Sequence, residues 1–520
     1  MMIIFLGQMG LYSPNSTEWN QIGHDYKKSR RAPLKCKTPA SISRIWTIRE
    51  SSNSVYNLVY DRNNDGYTEV LALSDSIVLR NATNGNYIFG VPSSGTQYVG
   101  SKYVAVGKAG NSRRIFLQEP NNCLIRVRDG SNGNLIYSYN FCSYIDVFPT
   151  IIDYDNDNCA EILTGVGNNA VMLNLCSNSY SPIWQINTRG VYKTIAVGTF
   201  NGTLSAVVLS RDSGNIFIIR VNDGSILAKY NIFTKNASSS WTTGPLVWDI
   251  NNDGNDEIFF GYKSNNVYYM RAINVSNNWS YNDLWVRSGS NYQPASFASF
   301  LAIGKILSGG QWGIAFSGAL QKVHVIRAID GNVITTNIPN VIDDYVRGDP
   351  SIGDINGDGI EGVVFSTYCG KPTEYSYVNN WLSAVWQADL CANDPPITSD
   401  LIIAKYYMNY NQNPPQGQII IVEGDYSCYT NVWLCQGGEE TTPLNSSESK
   451  NNLTITQIKN YEIIVYSNKS INLYVYNALG RRVKEIVLKE GLNNIKLENK
   501  GVYFLDFGKY GKKKVLITGD

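Results

Sequence analysis

The 520-residue sequence predicts an all-β fold: an eight-bladed β-propeller, with seven blades as the alternative, followed by a small immunoglobulin-like β-sandwich. Three observations predict it. An oxygen-rich loop recurs four times in front of apolar, β-branched and aromatic stretches. Asp-Gly turns recur between those loops, and residues 453–520 change to short alternating strands of basic character.

The loops justify the blades. In "DINNDGNDEIFFGY", Asp249, Asn251 and Asp253 set side-chain oxygens at alternate positions, Gly254 permits a sharp bend and Glu257 returns from the far side. This is the ligand order of a short calcium loop: hard oxygens at positions 1, 3 and 5, a main-chain carbonyl near 7, then a closing carboxylate. Here the closing residue comes at position 9 and the flanks read as strands, whereas an EF-hand closes at 12 between helices. Taken singly, the stretch is equally a solvated Asx-rich hairpin turn. Recurrence favours calcium. "YDRNNDGYTEVLAL" places Asp61, Asn63, Asp65 and Glu69 at the same offsets, and "IDYDNDNCAEILTG" places Asp153, Asp155, Asp157 and Glu161 there. Asn158 stands where glycine usually does, and asparagine is the next most tolerant residue for left-handed backbone. The fourth loop, "GDINGDGIEGVVFS", has Asp354, Asn356 and Asp358, but position 9 is Gly362 and the nearest carboxylate is Glu361. Three Ca2+ sites and a weaker fourth are expected.

Spacing justifies the ring. The loops begin 92, 96 and 105 residues apart, and Asp-Gly turns at Asp129, Asp223 and Asp330 fall between them. Asp-Gly between apolar stretches marks a hairpin. A unit of about 96 residues divides into halves of about 48, the length of one four-stranded blade. Loop-bearing halves alternate with loop-free halves from about Ser43 to Gly437, which gives eight blades; irregular residues 401–434 keep seven open. "EWNQIGHDYKKSRRAPL", followed by "ISRIWTI", is expected to bring a strand that closes the ring on the last blade and hides its edges.

The expected domains are residues 1–16, an apolar segment that reads either as a signal-peptide remnant or as a loose terminal strand; 17–437, the propeller; 438–452, a polar linker; and 453–520, the sandwich. The last module holds 12 Lys/Arg against 6 Asp/Glu.

These loops resemble FG-GAP repeats, the calcium-loop blades of integrin-α-like propellers and of secreted microbial proteins. The alternating blades and the "EWNQIGHD" opening are similar to quinoprotein-type eight-bladed propellers, over roughly residues 17–437. In the last module, Val475-Tyr476-Asn477 with Leu479-Gly480-Arg481, then Gly501-Val502-Tyr503-Phe504 and a basic final strand, resemble type A sorting domains of type IX-secreted bacterial proteins. The first resemblance implies calcium and a propeller. The second implies delivery to, or retention at, the cell surface. Neither fixes a function, because the propeller hosts enzymes, lectins and adhesins alike.

Composition narrows the partners. Net charge +1, with no arginine-rich stretch interleaved with aromatics, excludes a nucleic-acid binder by character. No apolar stretch approaches the ~20 residues that span a bilayer. Eight of the nine cysteines fall into sequential pairs (Cys123/Cys142, Cys159/Cys176, Cys369/Cys391, Cys428/Cys435), leaving Cys36 without an obvious partner. Disulfides point to an oxidising compartment, hence an extracellular or cell-surface location, with buried free thiols as the alternative. With no CxxC and only two histidines, zinc is not expected.

No catalytic set emerges: the chain lacks G-x-S-x-G, a P-loop and H-E-x-x-H. His24 and His324 read as structural, Asp343-Asp344 as an inter-blade turn, and Trp241, Trp279 and Trp285 as residues that either pack between blades or line a sugar-stacking face. Two functions follow, with a quinone-cofactor dehydrogenase as a more distant third. The first is non-catalytic binding or adhesion to a glycan or an extracellular protein. The second is a secreted, lyase-like enzyme acting on polysaccharide with calcium and a Lys, Arg or Tyr at the central channel. No oligomeric state is assigned.

Overall fold

The computed structural model describes residues 21, 24–36, 42–50, 56–73, 76–92, 103–119, 124–141, 147–294, 300–318, 322–338, 349–356, 360–366, 372–378, 381–387, 402–409, 416–424, 429–440, 453–459, 462–467, 471–477, 481–489, 491–496, 501–506 and 512–517. The chain forms two compact units, Met9–Pro443 and a second containing Leu444–Asp520. The N-terminal residues 1–16, Asp343, Asp344, Asp358 and Cys123, Cys142, Cys369, Cys391 and Cys428 lie outside the described residues.

In the larger unit the hydrophobic runs fold as meanders of four antiparallel strands. The third sheet is typical: Thr150–Ile152, Glu161–Val166, Asn169–Asn174 and Pro182–Asn187 pair in chain order. Glu161–Val166 is buried along its whole length, whereas only Trp184 is fully buried in Pro182–Asn187. Burial thus falls from the inner strands to the outer one, which is why inner strands read as continuous apolar runs and outer ones alternate. Among the described residues, seven sheets make up the propeller arrangement. Six have four or five strands. The seventh has nine and contains two four-strand sets, one from Ser351–Asp354 to Trp381–Gln387, the other made of Ile402–Asn409, Gln416–Gly424, Tyr429–Glu440 and Ile42–Arg49. The eight units expected from the sequence period are therefore present as four-strand sets within seven hydrogen-bonded sheets.

Apolar cores between neighbouring sheets carry the packing around the ring. One core joins Val197 and Val208 of the fourth sheet to Ile162 and Leu163 of the third, and another joins Trp248 and Phe259 of the fifth to Ile303 and Ile314 of the sixth. A further core closes the circle by packing Val432 and Ile421 of the last sheet against Leu58 and Val70 of the first. The hairpins expected after Asp129, Asp223 and Asp330 form, and two of them dock a tryptophan from the preceding sheet. Trp184 Nε1 donates to Val221 O at 2.6 Å, and Trp285 Nε1 donates to Ala328 O at 2.7 Å. Gly331 has φ 68°, and a Cβ there would lie 2.5 Å from the Trp285 ring, so only glycine fits. Trp241 and Trp285 are both buried between blades, the packing role that sequence favoured.

Ring closure is double. Ile42–Arg49 pairs antiparallel with Tyr429–Glu440, as expected of "ISRIWTI". The preceding segment does something the sequence did not announce: it runs around the propeller axis as a belt. Gln21 bridges Ala105, and its side-chain amide pairs with both main-chain groups of Ile151. Then Val197 N donates to Tyr26 O at 2.7 Å, Val247 N to Lys27 O at 3.1 Å, Ile303 N to Ser29 O at 3.0 Å and Ile352 N to Arg30 O at 2.8 Å. Each donor belongs to the innermost strand of a successive blade. Those inner edges would otherwise leave N–H groups unpaired, and the belt carbonyls satisfy them in chain order. Turning consecutive carbonyls outward requires left-handed backbone, found at His24, Lys28 and Arg30. Arg31–Lys35 then joins the nine-stranded sheet between Ser351–Asp354 and Tyr429–Glu440.

Disulfide Cys36–Cys435 fastens the end of the belt to the last blade, which corrects the expected Cys428/Cys435 pairing and supplies the missing partner of Cys36. Cys159–Cys176 forms as expected. Tyr429–Glu440 also runs past position 438, so the polar stretch does not become a linker where composition suggested. Paired with Gln416–Gly424 on one side and with Leu34 and Lys35 on the other, "QGGEE" lies inside the sheet despite its polarity.

The second unit has a three-stranded sheet (Leu453–Lys459, Glu462–Ser467, Gly491–Lys496) and a four-stranded sheet (Arg482–Leu488, Ile471–Asn477, Gly501–Asp506, Lys512–Ile517), both antiparallel. Among the described residues, no helix is long and apolar enough to cross a membrane.

Candidate metal centres

Each oxygen-rich loop connects the innermost strand of a blade to the next strand, so rigid β-structure fixes both of its ends. In the third loop, Leu246–Trp248 leads in and Glu257–Ser264 leads out. Asp249 Oδ1 and Oδ2 accept from Asp253 N at 3.2 Å and Gly254 N at 3.0 Å, folding the loop over its first carboxylate. Asn252 and Gly254 take left-handed backbone to make that bend. Glu257 comes back buried, as the spacing requires, and accepts from Ile250 N at 2.9 Å. The Asn251 amide nitrogen bridges Asp253 Oδ2 (3.2 Å) and Glu257 Oε1 (3.1 Å). The Oδ1 of the same side chain accepts from Asp253 N at 2.9 Å.

The second loop is the most acidic. Oxygens of Asp153, Asp155 and Glu161 lie within 4.8 Å of one another, the one such carboxylate group among the described residues. Asp153 Oδ1 is buried with no hydrogen-bond partner, an oxygen that a cation would satisfy. Asp157 turns instead to the main chain, accepting from Cys159 N at 2.6 Å. Asn156 and Asn158 both adopt left-handed backbone, so asparagine does serve in the glycine position.

The first loop folds like the third: Asp65 N and Gly66 N donate to Asp61, and Asn63 Nδ2 donates to Asp65 at 2.8 Å. It differs at position 2. Arg62 Nε pairs with Glu69 Oε1 at 3.2 Å, so a protein cation already holds the closing acid.

Electrostatics agree with this geometry. Burial, with help from neighbouring carboxylates, pushes Glu257 and Glu161 up to about 8 and Glu69 up to about 7. Burial likewise raises Asp153 and Asp249. Clustered acids that resist ionisation are what hard-cation sites look like before the charge of the ion is counted. All the donors are oxygen, the set that suits calcium rather than zinc.

The fourth loop departs. Asp354 and Asn356 are buried, and Asp354 O accepts from Cys36 N at 2.8 Å. Glu361 does not substitute for the absent closing acid. Its Oε1 accepts from Arg31 Nε at 2.5 Å and its Oε2 from Lys305 N at 2.7 Å, both outside the loop.

The axial belt is the part of the site that sequence reasoning missed. His24, Asp25, Lys27, Lys28, Arg30 and Arg31 are all buried. Asp25 accepts from Ser29 N at 3.2 Å and from the Ser29 hydroxyl, and it faces the His24 ring. Arg30 donates to Pro350 O at 2.7 Å and Asp349 O at 3.0 Å. Burial lowers Lys28 to about 7 while Asp25 opposes the shift. In the sequence "HDYKKSRR" reads only as part of the ring-closing segment; the density of charge in it was the one further signal. His324 is buried with Nδ1 against Asn291 O at 2.9 Å, in keeping with a structural role.

No family model matches the chain, and no curated protein matches it. Solved structures do. The europium-containing methanol dehydrogenase is similar over 78% of this chain and 90% of its own, at 11% identity and TM-score 0.50. BamB from Moraxella catarrhalis (11% identity, TM-score 0.47) covers 75% of this chain and 97% of its own. The computationally designed Ika8 protein (11% identity, TM-score 0.46) covers 75% and 99%. Identity this low speaks to fold alone, and only the first similarity is strong enough to bear on it. Together with the seven sheets, it makes the larger unit a multi-bladed β-propeller.

Proposed function

We propose that the protein is an extracellular, calcium-binding propeller displayed at the cell surface, which binds a glycan or an extracellular protein without catalysis. The observation that carries the calcium reading is the second loop, where three carboxylates converge around an oxygen that has no hydrogen-bond partner. Two disulfides support an oxidising location. The basic Leu444–Asp520 unit, by its resemblance to sorting domains, supports surface delivery or attachment.

The lyase-like alternative required cationic or tyrosine side chains free at the central channel. Lys27, Lys28, Arg30 and Arg31 are at the axis, but they are buried and bonded to protein groups, which favours the binding reading. A glycan array probed with and without chelator, read beside an unsaturated-product assay, tests both. Calcium-dependent glycan or protein capture with no product supports the proposal. Product formation replaces it with the enzyme.

A further inference from the structure

Asp256 stands one residue before the closing acid of the third loop, yet it points the other way, as adjacent residues at the start of a strand do. Its Oδ1 accepts from Lys27 Nζ of the belt at 2.5 Å, and its Oδ2 accepts from Thr199 N of the preceding blade at 2.7 Å. Glu361 holds the same position in the fourth loop and does the same job: one oxygen takes Arg31 of the belt, the other takes Lys305 N of the preceding blade. The first and second loops carry Thr68 and Ala160 there. The third loop also grips the belt from its other end. Trp248, immediately before Asp249, lies 5.4 Å from Lys27 Nζ and 5.8 Å from the Arg31 guanidinium.

We propose that the eighth residue of the third and fourth loops anchors the axial belt, and that metal in the third loop is thereby transmitted to the centre of the ring. A cation held by Asp249, Asn251, Asp253 and Glu257 fixes the residues flanking Asp256 and Trp248, and so fixes both grips on Lys27. The Lys27–Asp256 pair is buried on both sides, so loosening either partner leaves a charge uncompensated. The coupling rests on the calcium reading above; the anchoring does not.

Hydrogen–deuterium exchange of peptides covering residues 21–36 in the full chain, measured with calcium and with chelator beside calcium stoichiometry, tests both parts. Calcium is expected to slow belt exchange in the wild type by roughly tenfold, the factor one charge-assisted hydrogen bond is worth. Asp256→Asn should keep the calcium stoichiometry and lose that slowing. Glu361→Gln should raise belt exchange in both states and keep the calcium response. Calcium bound at full stoichiometry with unchanged wild-type belt exchange overturns the coupling. Failure to bind calcium at all overturns the reading beneath it. Unaltered exchange in Glu361→Gln overturns the anchoring. The wild-type arm needs no variant to fold.

Discussion

The third and fourth loops open with the same Asp-Ile-Asn triplet and end differently. In the third, Glu257 turns back under the loop and meets Asn251 at 3.1 Å. In the fourth, Gly362 has no side chain to turn, and the acid beside it is spent on Arg31 and Lys305. A carboxylate near a loop is therefore not a ligand of the loop. Strand alternation decides which side it serves, and one step in register separates an acid that closes its own loop from one that meets the belt. The first loop is intermediate, since its closing acid points inward but already holds Arg62.

Removing metal tests the comparison most severely. A ligand that binds only the folded state at a hundredfold its Kd stabilises by about 2.7 kcal/mol per site. Chelator should lower the calorimetric Tm by several degrees, restored by calcium and poorly by magnesium, which demands a tighter octahedron. An unchanged Tm would mean that none of the loops holds calcium. Next in size is the contrast between the two loops. Asp253→Ala should remove one calcium from the stoichiometry and, through the lost ion, destabilise by up to about 2.7 kcal/mol, while Asp358→Ala should cost clearly less by denaturant titration. Equal losses would mean that the fourth loop closes by other means.

The pH dependence of the chelated protein sharpens the electrostatic side. Glu257 lies at about 8 against an ordinary 4.5, so the folded chain holds this proton more tightly than the unfolded one. Its stabilising contribution is complete below 4.5 and is lost as pH rises through about 8. Glu161 behaves alike. Tm in chelator should therefore fall across that window, whereas saturating calcium, which needs the ionised acids, should remove the fall or reverse it. A smaller effect is expected at the first loop. Arg62→Ala frees Glu69, and calorimetric titration should show tighter calcium binding at one site, by a factor of about 2–5, the worth of a partly exposed ion pair. Smallest of all, ending the chain after Pro443 should leave the propeller's Tm and calcium stoichiometry unchanged, because the first and last strands of the ring already pair with each other.

Much of this was legible because it is periodic. Four Asp-x-Asn/Asp-x-Asp loops and three Asp-Gly turns fix strand positions by local chemistry, and the structure has strands on both sides of every one that it describes. Asn158 in left-handed backbone follows from the same local rule. What was hidden is what distance along the chain hides. Cys36 meets Cys435 across 399 residues, and nothing near either one signals the other. Lys27 and Arg31 find Asp256 and Glu361 across 229 and 330 residues of chain. "HDYKKSRR" reads as part of a ring-closing segment, and nothing local says that it circles the axis with its charges buried. Likewise "QGGEE" reads as a linker until Gln416–Gly424 offers it a pairing edge.

The staple between Cys36 and Cys435 has a mechanical consequence. It makes one covalent shortcut across the whole propeller, so a pull between the two chain ends runs from residue 36 directly to residue 435 and bypasses everything strung between them. The blades and their loops hang on that shortcut as slack. A protein held by its C-terminal unit and tugged at its opposite end would carry covalent load past residues 37–434 through one sulfur–sulfur bond, while the belt's hydrogen bonds to the inner strands and the pairing of Arg31–Lys35 take the shear directly.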